Sequence, residues 1–509
     1  MFFKINSLGV FGLESHTVTV EADISGMKSR FDIVGLPDSA VSEAGERVRA
    51  AIRNSGYTFP QTHITVNLAP ADIRKEGPVY DLPILVALLM ATRQISADVD
   101  DAAFIGELSL NGDVRPVKGV LPMVICARDN GFGRVFLPAA NIAEASVVRG
   151  LELYPVENVL GLMAHFRGIT PIAPVTEEII CSDGTQRAYP DFADVLGQQK
   201  AKRALEVAAA GGHNCLLIGS PGSGKSMLAK RLPSILPEMT FEEQLETTKV
   251  YSVAGELPSG VSLINTRPFR SPHHTISPAG LSGGGSIPRP GELSLADNGV
   301  LFLDELPEFG RNTLEALRQP IEDGIITISR VSGTLTYPCS VMLVCAMNPC
   351  PCGYFGSAVR TCTCAPGAVQ RYLARVSGPL LDRLDIHIEV PAVEYEKLAG
   401  AERGESSAEI RKRVNAARLI QQERLKGTGV SCNAKMDAAM TREFCVLTPA
   451  AKNILKAAFE RFSFSARAYD KLLRLSRTIA DLDSSELIDT RHVAEAVQYR
   501  SLDKKYHMD

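Results

Sequence analysis

The sequence predicts an α/β protein with a central phosphate-binding region, a mixed α+β region before it and a helical region after it. Residues 219–226 read Gly-Ser-Pro-Gly-Ser-Gly-Lys-Ser and lie between an apolar, strand-like run at 214–218 and a helical pattern at 227–232. A strand, a glycine-rich turn and a helix in this order are typical of a nucleotide-phosphate loop. Beyond residue 396 helical periodicity dominates, and helices are predicted at 407–425, 448–461, 465–481 and 490–499.

The composition is that of an ordinary globular chain. Its 509 residues are enough for about three domains, and 45% of them are hydrophobic. The net charge of −4 means that any nucleic-acid site must be a local basic patch. No apolar run approaches the ~20 residues of a membrane span, and the N-terminal residues are not typical of a secretory signal. The scattered cysteines favour reduced thiols, so we expect a cytoplasmic protein without a membrane partner.

Three domains and one linker are predicted. The first region mixes strand signals, at 17–22 and 63–68, with an amphipathic helix at 40–54. The segment before the phosphate-binding region lacks periodicity and is interpreted as a linker. The predicted boundaries are 1–175 for the α+β domain, 176–189 for the linker, 190–395 for the core and 396–509 for the helical domain.

The glycine-rich loop predicts ATP and Mg²⁺ as ligands. Its backbone N–H groups and the N-terminus of the next helix would surround the phosphates. Lys225 would reach the β- and γ-phosphates, and the Ser226 hydroxyl would ligate Mg²⁺. The residues predicted to bind the nucleotide and its metal are Gly219, Ser220, Pro221, Gly222, Ser223, Gly224, Lys225, Ser226 and Asp304.

Two further strand ends predict hydrolysis. The apolar run at 298–303 ends in Asp304 and Glu305. Asp304 is expected to hold Mg²⁺, and Glu305 to act as general base for the attacking water. The run at 343–347 ends in Asn348, whose amide can orient the same water; a turn-capping role in front of a proline is the alternative.

Two arginines are candidates for stabilising the charge that develops on the γ-phosphate. Arg383 follows a short apolar turn and would act on the nucleotide of a neighbouring subunit. Its alternative is an ion pair within the subunit, with Asp382 or Asp385. Arg467 opens a predicted helix of the last domain and could reach the nucleotide from there, with a surface position as the alternative.

These motifs resemble those of the AAA+ ATPases of the magnesium-chelatase branch, and within it those of the YifB/ComM family. The resemblance implies an AAA+ core with a helical C-terminal lid, and a homo-oligomeric ring, usually a hexamer, with ATP between subunits. It also implies that residues 195–198 line the adenine pocket. The further segments that carry it are Phe-Arg-Ser-Pro-His-His at 269–274, Pro-Gly-Glu-Leu-Ser-Leu-Ala at 290–296, Phe-Leu-Asp-Glu-Leu-Pro-Glu-Phe at 302–309 and Arg-Thr-Ile-Ala-Asp-Leu at 477–482.

The first domain is similar to the catalytic domain of Lon protease. Glu-Gly-Pro-Val-Tyr at 76–80 stands where Lon-type enzymes carry Gly-Pro-Ser, so Val79 replaces the nucleophilic serine. Leu121 stands at the position of the paired lysine, and Lys118 is displaced from it. Because acyl transfer needs a nucleophile and a base, we expect no peptidase activity and a role in assembly or partner binding.

Four cysteines form two C-x-C pairs. Thiolates brought together in this number suit tetrahedral Zn²⁺, although C-x-x-C is the commoner spacing. Free thiols and reversible disulfides are the alternatives. The cysteines are Cys350, Cys352, Cys362 and Cys364.

Basic residues between 267 and 289, and one in the hairpin-like stretch 328–336, predict a DNA-binding pore. In a ring they would project towards the centre and track phosphates. Salt bridges between subunits and loop capping are the alternatives. The residues are Arg267, Arg270, His273, His274, Arg289 and Arg330.

The resemblance favours an ATP-driven ring motor acting on branched or junction DNA, a branch-migration helicase of recombination and natural transformation. Two other functions are consistent with the same motifs. One is a motor subunit that inserts Mg²⁺ into a porphyrin, as magnesium chelatase does. The other is a protein-remodelling ATPase, which the Lon-like domain suggests.

Overall fold

The computed structural model describes residues 1–26, 29–179, 189–285, 289–330, 333–356, 360–391, 404–462 and 464–500. Most of the predicted linker at 176–189 falls outside these ranges. The side chain of Arg330, one of the predicted pore residues, also lies outside the part of the chain that the structure describes.

The N-terminal region is a mixed sheet covered by helices. Its strands are β1 (Phe2–Phe11), β2 (Glu14–Ser25), β3 (Arg30–Val34), β4 (His63–Ala69), β5 (Ala102–Phe104), β6 (Glu107–Leu108), β7 (Val114–Arg115), β8 (Arg134–Pro138) and β9 (Glu152–Val156). Its helices are α1 (Ser39–Ser42), α2 (Ala44–Asn54), α3 (Asp81–Ala91), α4 (Val120–Asp129), α5 (Ile142–Ala145) and α6 (Val159–Phe166), with 3₁₀ turns at Pro78–Tyr80 and Ala139–Asn141.

Seven of these strands form one sheet, in the order β3-β4-β2-β1-β5-β8-β9. Strands β1 and β2 form a long antiparallel hairpin, whereas β5, β8 and β9 run parallel. Ile64, Val66 and Leu68 are buried at alternate positions of β4, as the apolar alternation at 63–68 predicts. The single helix predicted at 40–54 is divided at Glu43 into α1 and α2, and the Asp38 carboxylate caps α1.

Helix α3 is the centre of this region. Every one of its residues is buried, because the helix is apolar on all sides and packs between the sheet and α2. Within the described part of the chain, none of the helices combines the length and the apolar character needed to cross a bilayer.

The central region contains a five-stranded parallel sheet and a separate hairpin. Its strands are β10 (Cys215–Ile218), β11 (Phe269–Arg270), β12 (Val300–Leu303), β13 (Ile325–Arg330), β14 (Gly333–Pro338), β15 (Met342–Met347) and β16 (Ile386–Glu389). Its helices are α7 (Gln199–Gly211), α8 (Lys225–Arg231), α9 (Phe241–Ala254), α10 (Pro278–Ser282), α11 (Glu292–Leu295), α12 (Arg311–Glu315), α13 (Arg318–Asp323), α14 (Ala368–Leu373) and α15 (Gly378–Leu381), with 3₁₀ turns at Phe192–Asp194, Leu232–Ile235 and Leu306–Glu308.

The sheet order is β11-β12-β15-β10-β16, and all four pairings are parallel. Strands β10, β12 and β15 are buried along their whole length, which explains their uninterrupted apolar runs. Because the strands are parallel, the residues that follow β10, β12 and β15 meet at one edge of the sheet.

The C-terminal region is helical. It comprises α16 (Ser407–Arg424), α17 (Ala438–Phe444), α18 (Pro449–Phe462), α19 (Ala466–Leu482) and α20 (Thr490–Gln498), with a 3₁₀ turn at Asn433–Lys435. The four helices predicted from periodicity lie within two residues of those found, since serine and aspartate caps mark their starts. Helix α17 was not predicted. Helices α16 and α19 pack on α7 and extend the core of the central sheet.

The N-terminal region docks on the central one through α9 and the β13–β14 hairpin. The Gly119 N–H donates to the Ser252 carbonyl at 3.0 Å, and the Ser252 hydroxyl donates to Glu144 Oε2 at 2.7 Å. Phe11 and Leu13, at the turn of the β1–β2 hairpin, pack against the hydrophobic cluster that includes the β13–β14 hairpin. The two regions are therefore joined by buried polar and apolar contacts.

Candidate active site

The phosphate loop connects β10 to α8. Two of its glycines, Gly222 and Gly224, have φ of 75° and 90°, values that side chains with a Cβ rarely adopt. Lys225 is only 8% exposed, and its ammonium donates to the carbonyls of Gly219 at 2.8 Å and Ser220 at 2.9 Å. Burial lowers the pKa of Lys225, and Asp304 and Glu305 oppose that shift. The loop backbone thus surrounds the ammonium group of Lys225.

A hydroxyl and a carboxylate meet at the start of α8. The Ser226 hydroxyl donates to Asp304 Oδ2 at 2.6 Å. Mg²⁺ in nucleotide sites is held by one or two such protein oxygens together with phosphates and water. Ser226 and Asp304 follow different strands, and their oxygen atoms lie close enough together to bind one Mg²⁺, as predicted.

Glu305 occupies a strained position. Its φ is 54°, in the left-handed region, and its side chain is 60% exposed, whereas Asp304 before it is turned towards Ser226. Left-handed backbone at a residue other than glycine costs about 1–3 kcal/mol and is concentrated at functional sites. The strain turns the carboxylate out of the strand, as a general base requires. His274 Nδ1 lies 3.7 Å from Glu305 Oε2.

Asn348 lies beside the phosphate loop, at the end of β15. Its Oδ1 accepts a hydrogen bond from Lys225 Nζ at 3.1 Å. Burial raises the pKa of Tyr372, and the nearby Asn348 backbone opposes that rise; the sequence did not predict this neighbour. Lys225, Ser226, Asp304 and Asn348 are thus brought together from three strand ends.

Arg383 lies at the end of the sheet where the parallel strands begin, opposite to the end that carries the phosphate loop. Strand β16 pairs with β10 so that Ile386 is opposite Cys215, and Arg383 precedes β16 whereas the phosphate loop follows β10. The four residues of β10 alone span about 13 Å. The Arg383 guanidinium donates to the Arg318 carbonyl at 2.9 Å and forms an ion pair with Glu322. The ion pair within the subunit therefore exists, but its partner is neither Asp382 nor Asp385.

Arg467 is exposed in the first turn of α19. One turn further on, Lys471 Nζ lies 2.9 Å from Asp385 Oδ1 and donates to the Asp382 carbonyl. Arg467 therefore lies one helical turn from a residue that contacts the segment next to Arg383.

Comparison with known proteins supports the family predicted from the motifs. The family models described as "Magnesium chelatase, subunit ChlI", "Subunit ChlI of Mg-chelatase" and "Magnesium chelatase, subunit ChlI C-terminal" match residues 191–398, 20–141 and 404–500. The competence protein ComM of Haemophilus influenzae is 42% identical over 505 residues, which cover 98% of this chain and 97% of that protein. The chain belongs to the ComM/YifB family of magnesium-chelatase-like proteins.

Two further relatives differ in how much of the chain they match. YifB of Escherichia coli is 42% identical over 503 residues, with 98% of this chain and 97% of that protein covered. An archaeal Lon protease of Methanothermobacter thermautotrophicus is 26% identical over 172 residues, 32% of this chain and 27% of that protein. The ComM/YifB similarity therefore extends over nearly the whole chain, and the Lon similarity is partial.

The structure gives two of the predicted pore arginines a different role in this ComM/YifB chain. Arg267 is 12% exposed and donates to the carbonyls of Pro237 and Asn298 and to the Glu243 carboxylate. Arg270 forms a two-pronged pair with Glu292, which raises its pKa. Both guanidinium groups are held by acceptors within the subunit. These contacts within the subunit match the loop-capping alternative, and a contact of either arginine with DNA stays a prediction.

The other predicted pore residues are divided between two places. His274 faces Glu305 and packs edge-on to Phe309, so it lies beside the predicted general base. His273 and Arg289 are exposed. Arg289 forms an isolated backbone bridge with Gly284. Among the predicted pore residues in the described part of the chain, these two have exposed side chains.

The four cysteines of the C-x-C pairs converge. Their sulfur atoms lie within 4.8 Å of one another. The Sγ–Sγ separations are 3.3 Å for Cys350–Cys352, 3.7 Å for Cys350–Cys362 and 3.5 Å for Cys352–Cys362. A tetrahedron of sulfurs 2.3 Å from zinc has edges of about 3.8 Å, so the cluster could hold a metal ion.

The side chains at the two positions that correspond to the Lon catalytic pair are apolar and buried. Val79 is 6% exposed and Leu121 is fully buried. Lys118 lies at the boundary between regions and donates to the Ala254 carbonyl at 3.4 Å. Lys118 and helix α4 therefore contact α9.

Proposed function

We propose that this chain is an ATPase in which Lys225, Ser226, Asp304, Glu305 and Asn348 form one half of a shared nucleotide site. The observation that carries the proposal is the convergence of Lys225, the Ser226–Asp304 pair and Asn348 from three strand ends of one parallel sheet. This arrangement can neutralise phosphate charge, hold a divalent cation and orient a water molecule in a single cleft.

Each residue has a separate part in hydrolysis. Lys225 would exchange its loop carbonyls for the β- and γ-phosphate oxygens. Ser226 and Asp304 would hold Mg²⁺, which supplies positive charge to the phosphates when bound. Glu305 would accept the proton of the attacking water, and the Asn348 amide would fix the position of that water.

The second half of the site is proposed to come from a neighbouring subunit. Support comes from Arg383, which precedes β16 whereas the phosphate loop follows the paired strand β10, and from Lys471, which joins the helix of Arg467 to the segment next to Arg383. In a closed ring, a head-to-tail contact brings one side of each subunit against the other side of the next. We therefore propose a homo-oligomeric ring, with a hexamer as the expected size and the C-terminal helices as its lid.

DNA is the proposed substrate of the motor. Support comes from the relative named competence protein ComM, and from the exposed side chains of His273 and Arg289. A branch-migration activity on four-way junctions would fit a ring that moves along DNA. We also place the protein in the cytoplasm, consistent with the free thiols of the described cysteines.

The test of the DNA proposal is ATP turnover in the presence of a synthetic four-way junction, linear duplex or no DNA. We expect junction DNA to raise turnover and ATP to drive strand exchange in a fluorescent junction. If branched DNA neither binds nor alters turnover, the DNA motor proposal is wrong. The variant Arg289→Ala should weaken stimulation, whereas Arg128→Ala, a surface change in the N-terminal region, should not.

A magnesium-chelatase motor subunit is the second candidate. It is favoured by the three ChlI family models that together match most of the chain. This function would make ATP turnover respond to a porphyrin-binding partner protein and not to DNA, so the same turnover assay separates the two.

Two further features are proposed for the remaining sites. The four clustered cysteines would hold Zn²⁺ as thiolates, in a structural site without an open coordination position. The N-terminal region would lack peptidase activity, because Val79 and Leu121 offer neither nucleophile nor base. Metal analysis of the purified protein and a casein-cleavage assay test these two statements.

A further inference from the structure

The cysteine cluster is attached directly to the ATP site. Cys350 follows Asn348 by two residues, and it is fully buried. The segment then turns back against the phosphate loop at Gly353, where φ is 85°. A Cβ added to Gly353 would lie 2.3 Å from Cδ of Pro221, so the Gly353 backbone is in close contact with the Pro221 ring. The segment that begins at Asn348 therefore packs on the loop that binds phosphate.

Local hydrogen bonds organise this segment around its sulfur atoms. The Gly353 N–H donates to the Cys350 carbonyl at 2.9 Å, and the Phe355 N–H donates to Cys350 Sγ at 3.3 Å. Amide donors that point at cysteine sulfur stabilise thiolates and are common around protein-bound metals. Such contacts orient the ligands, but each is weak by itself.

No helix or strand is present in the described residues between the end of β15 at Met347 and the start of α14 at Ala368. The cluster joins the two ends of this segment, since Cys350 and Cys352 come from its start and Cys362 and Cys364 from its end. A metal bound by four thiolates contributes folding energy directly to a segment that has little other structure. The fold of the segment, and its contact with Pro221, should therefore depend on the metal.

We propose that Zn²⁺ bound by the four cysteines holds Asn348 and the phosphate loop in place, so that peroxide oxidation of the cluster switches ATP turnover off. The inference rests on the proposed ATPase function and adds a mode of regulation to that site. In each oxidation two thiolates give two electrons to one peroxide. An S–S bond forms, the O–O bond breaks, and two hydroxide ions result. Two such steps consume the four thiolates and release Zn²⁺ unchanged in charge.

The experiment uses the full-length protein purified with zinc. Hydrogen peroxide is added in steps, released Zn²⁺ is measured with a chromogenic chelator, and ATP turnover is measured on the same samples. We expect one zinc per chain and a loss of turnover of at least tenfold that follows zinc release. A thiol reductant with added Zn²⁺ should restore turnover, whereas the reductant with a chelator should not.

Two variants separate the cluster from other effects. Cys126→Ser removes a half-exposed thiol of the N-terminal region and should leave both zinc content and peroxide sensitivity unchanged. Gly353→Ala should keep its zinc but lose turnover, because its Cβ would collide with Pro221. This variant tests the contact without removing a ligand, and its zinc content reports whether the segment has folded.

Three results would overturn the inference: purified protein without zinc, zinc release with turnover unchanged, or full turnover in Gly353→Ala. Failure of the proposed ATPase function would look different. In that case the untreated, zinc-containing protein would show no ATP turnover before any peroxide was added.

Discussion

Asn348 accepts a hydrogen bond from Lys225 at 3.1 Å, although Asn348 follows β15 and Lys225 opens α8 after the loop that follows β10. The contact links the group expected to bind the γ-phosphate to the group expected to orient water. It exists because β10 and β15 are paired in parallel, with Ile218 opposite Met347. The sheet itself therefore sets the distance between the two functions.

Replacing Asn348 by alanine should slow hydrolysis without abolishing nucleotide binding. The loss of one positioned polar group in a catalytic site typically costs about 10²-fold in turnover. Turnover and the affinity for a fluorescent ATP analogue should be measured together. Asn130→Ala, which removes a surface amide of the N-terminal region, is the matched control. Equal loss of binding and turnover would show that Asn348 supports the loop and not the water.

Arg383 should act on the nucleotide of the next subunit. Arg383→Ala and Glu305→Gln are each expected to be inactive as pure proteins. When they are mixed, some interfaces combine an intact Glu305 from one subunit with an intact Arg383 from its neighbour, so turnover should partly recover. Mixing is measured by titrating one variant into the other at constant total protein. Absence of any recovery in rings that are shown to exchange subunits would contradict a role between subunits.

The Asp385–Lys471 pair should stabilise the contact between the core and α19. Burial favours a neutral carboxyl, but Lys471, His213 and Arg474 outweigh it and hold the pKa of Asp385 far below its usual value. A group with a depressed folded-state pKa stabilises the fold above its unfolded-state pKa, about 3.9. That stabilisation is progressively lost as the pH falls below about 4.

Asp385→Asn should therefore lower the free energy of unfolding near pH 7 by about 3–5 kcal/mol, since it leaves Lys471 buried without a charged partner. The difference from the unchanged protein should shrink below pH 4. Urea unfolding followed at several pH values measures both effects. Asp129→Asn, at an exposed pair with Arg128, should cost less than about 1 kcal/mol at any pH.

The sequence predicted those parts of the site that are contiguous along the chain. The loop at 219–226, the acids after β12 and Asn348 after β15 each follow a buried strand, so their meeting at one edge is a consequence of parallel pairing. The starts of α16, α19 and α20 were predictable because serine or aspartate caps stand there.

The parts that were not predicted depend on partners distant in sequence. Arg270 was expected in a pore, but it forms an ion pair with Glu292, the first residue of α11. The ion pair of Arg383 with Glu322 and that of Lys471 with Asp385 likewise join separate elements. Side-chain charge alone does not distinguish an arginine that is free to bind phosphate from one already paired.

ATP hydrolysis by Glu305→Gln tests the central claim most directly. The substitution keeps the size and hydrogen-bonding reach of the side chain but removes the carboxylate that would accept a proton from water. Purified protein and variant should be compared for binding of ATP, for assembly and for phosphate release. We expect the variant to bind ATP and assemble like the unchanged protein and to release phosphate at least 10²-fold more slowly. Phosphate release at the unchanged rate would contradict the assignment of this site as the catalytic centre.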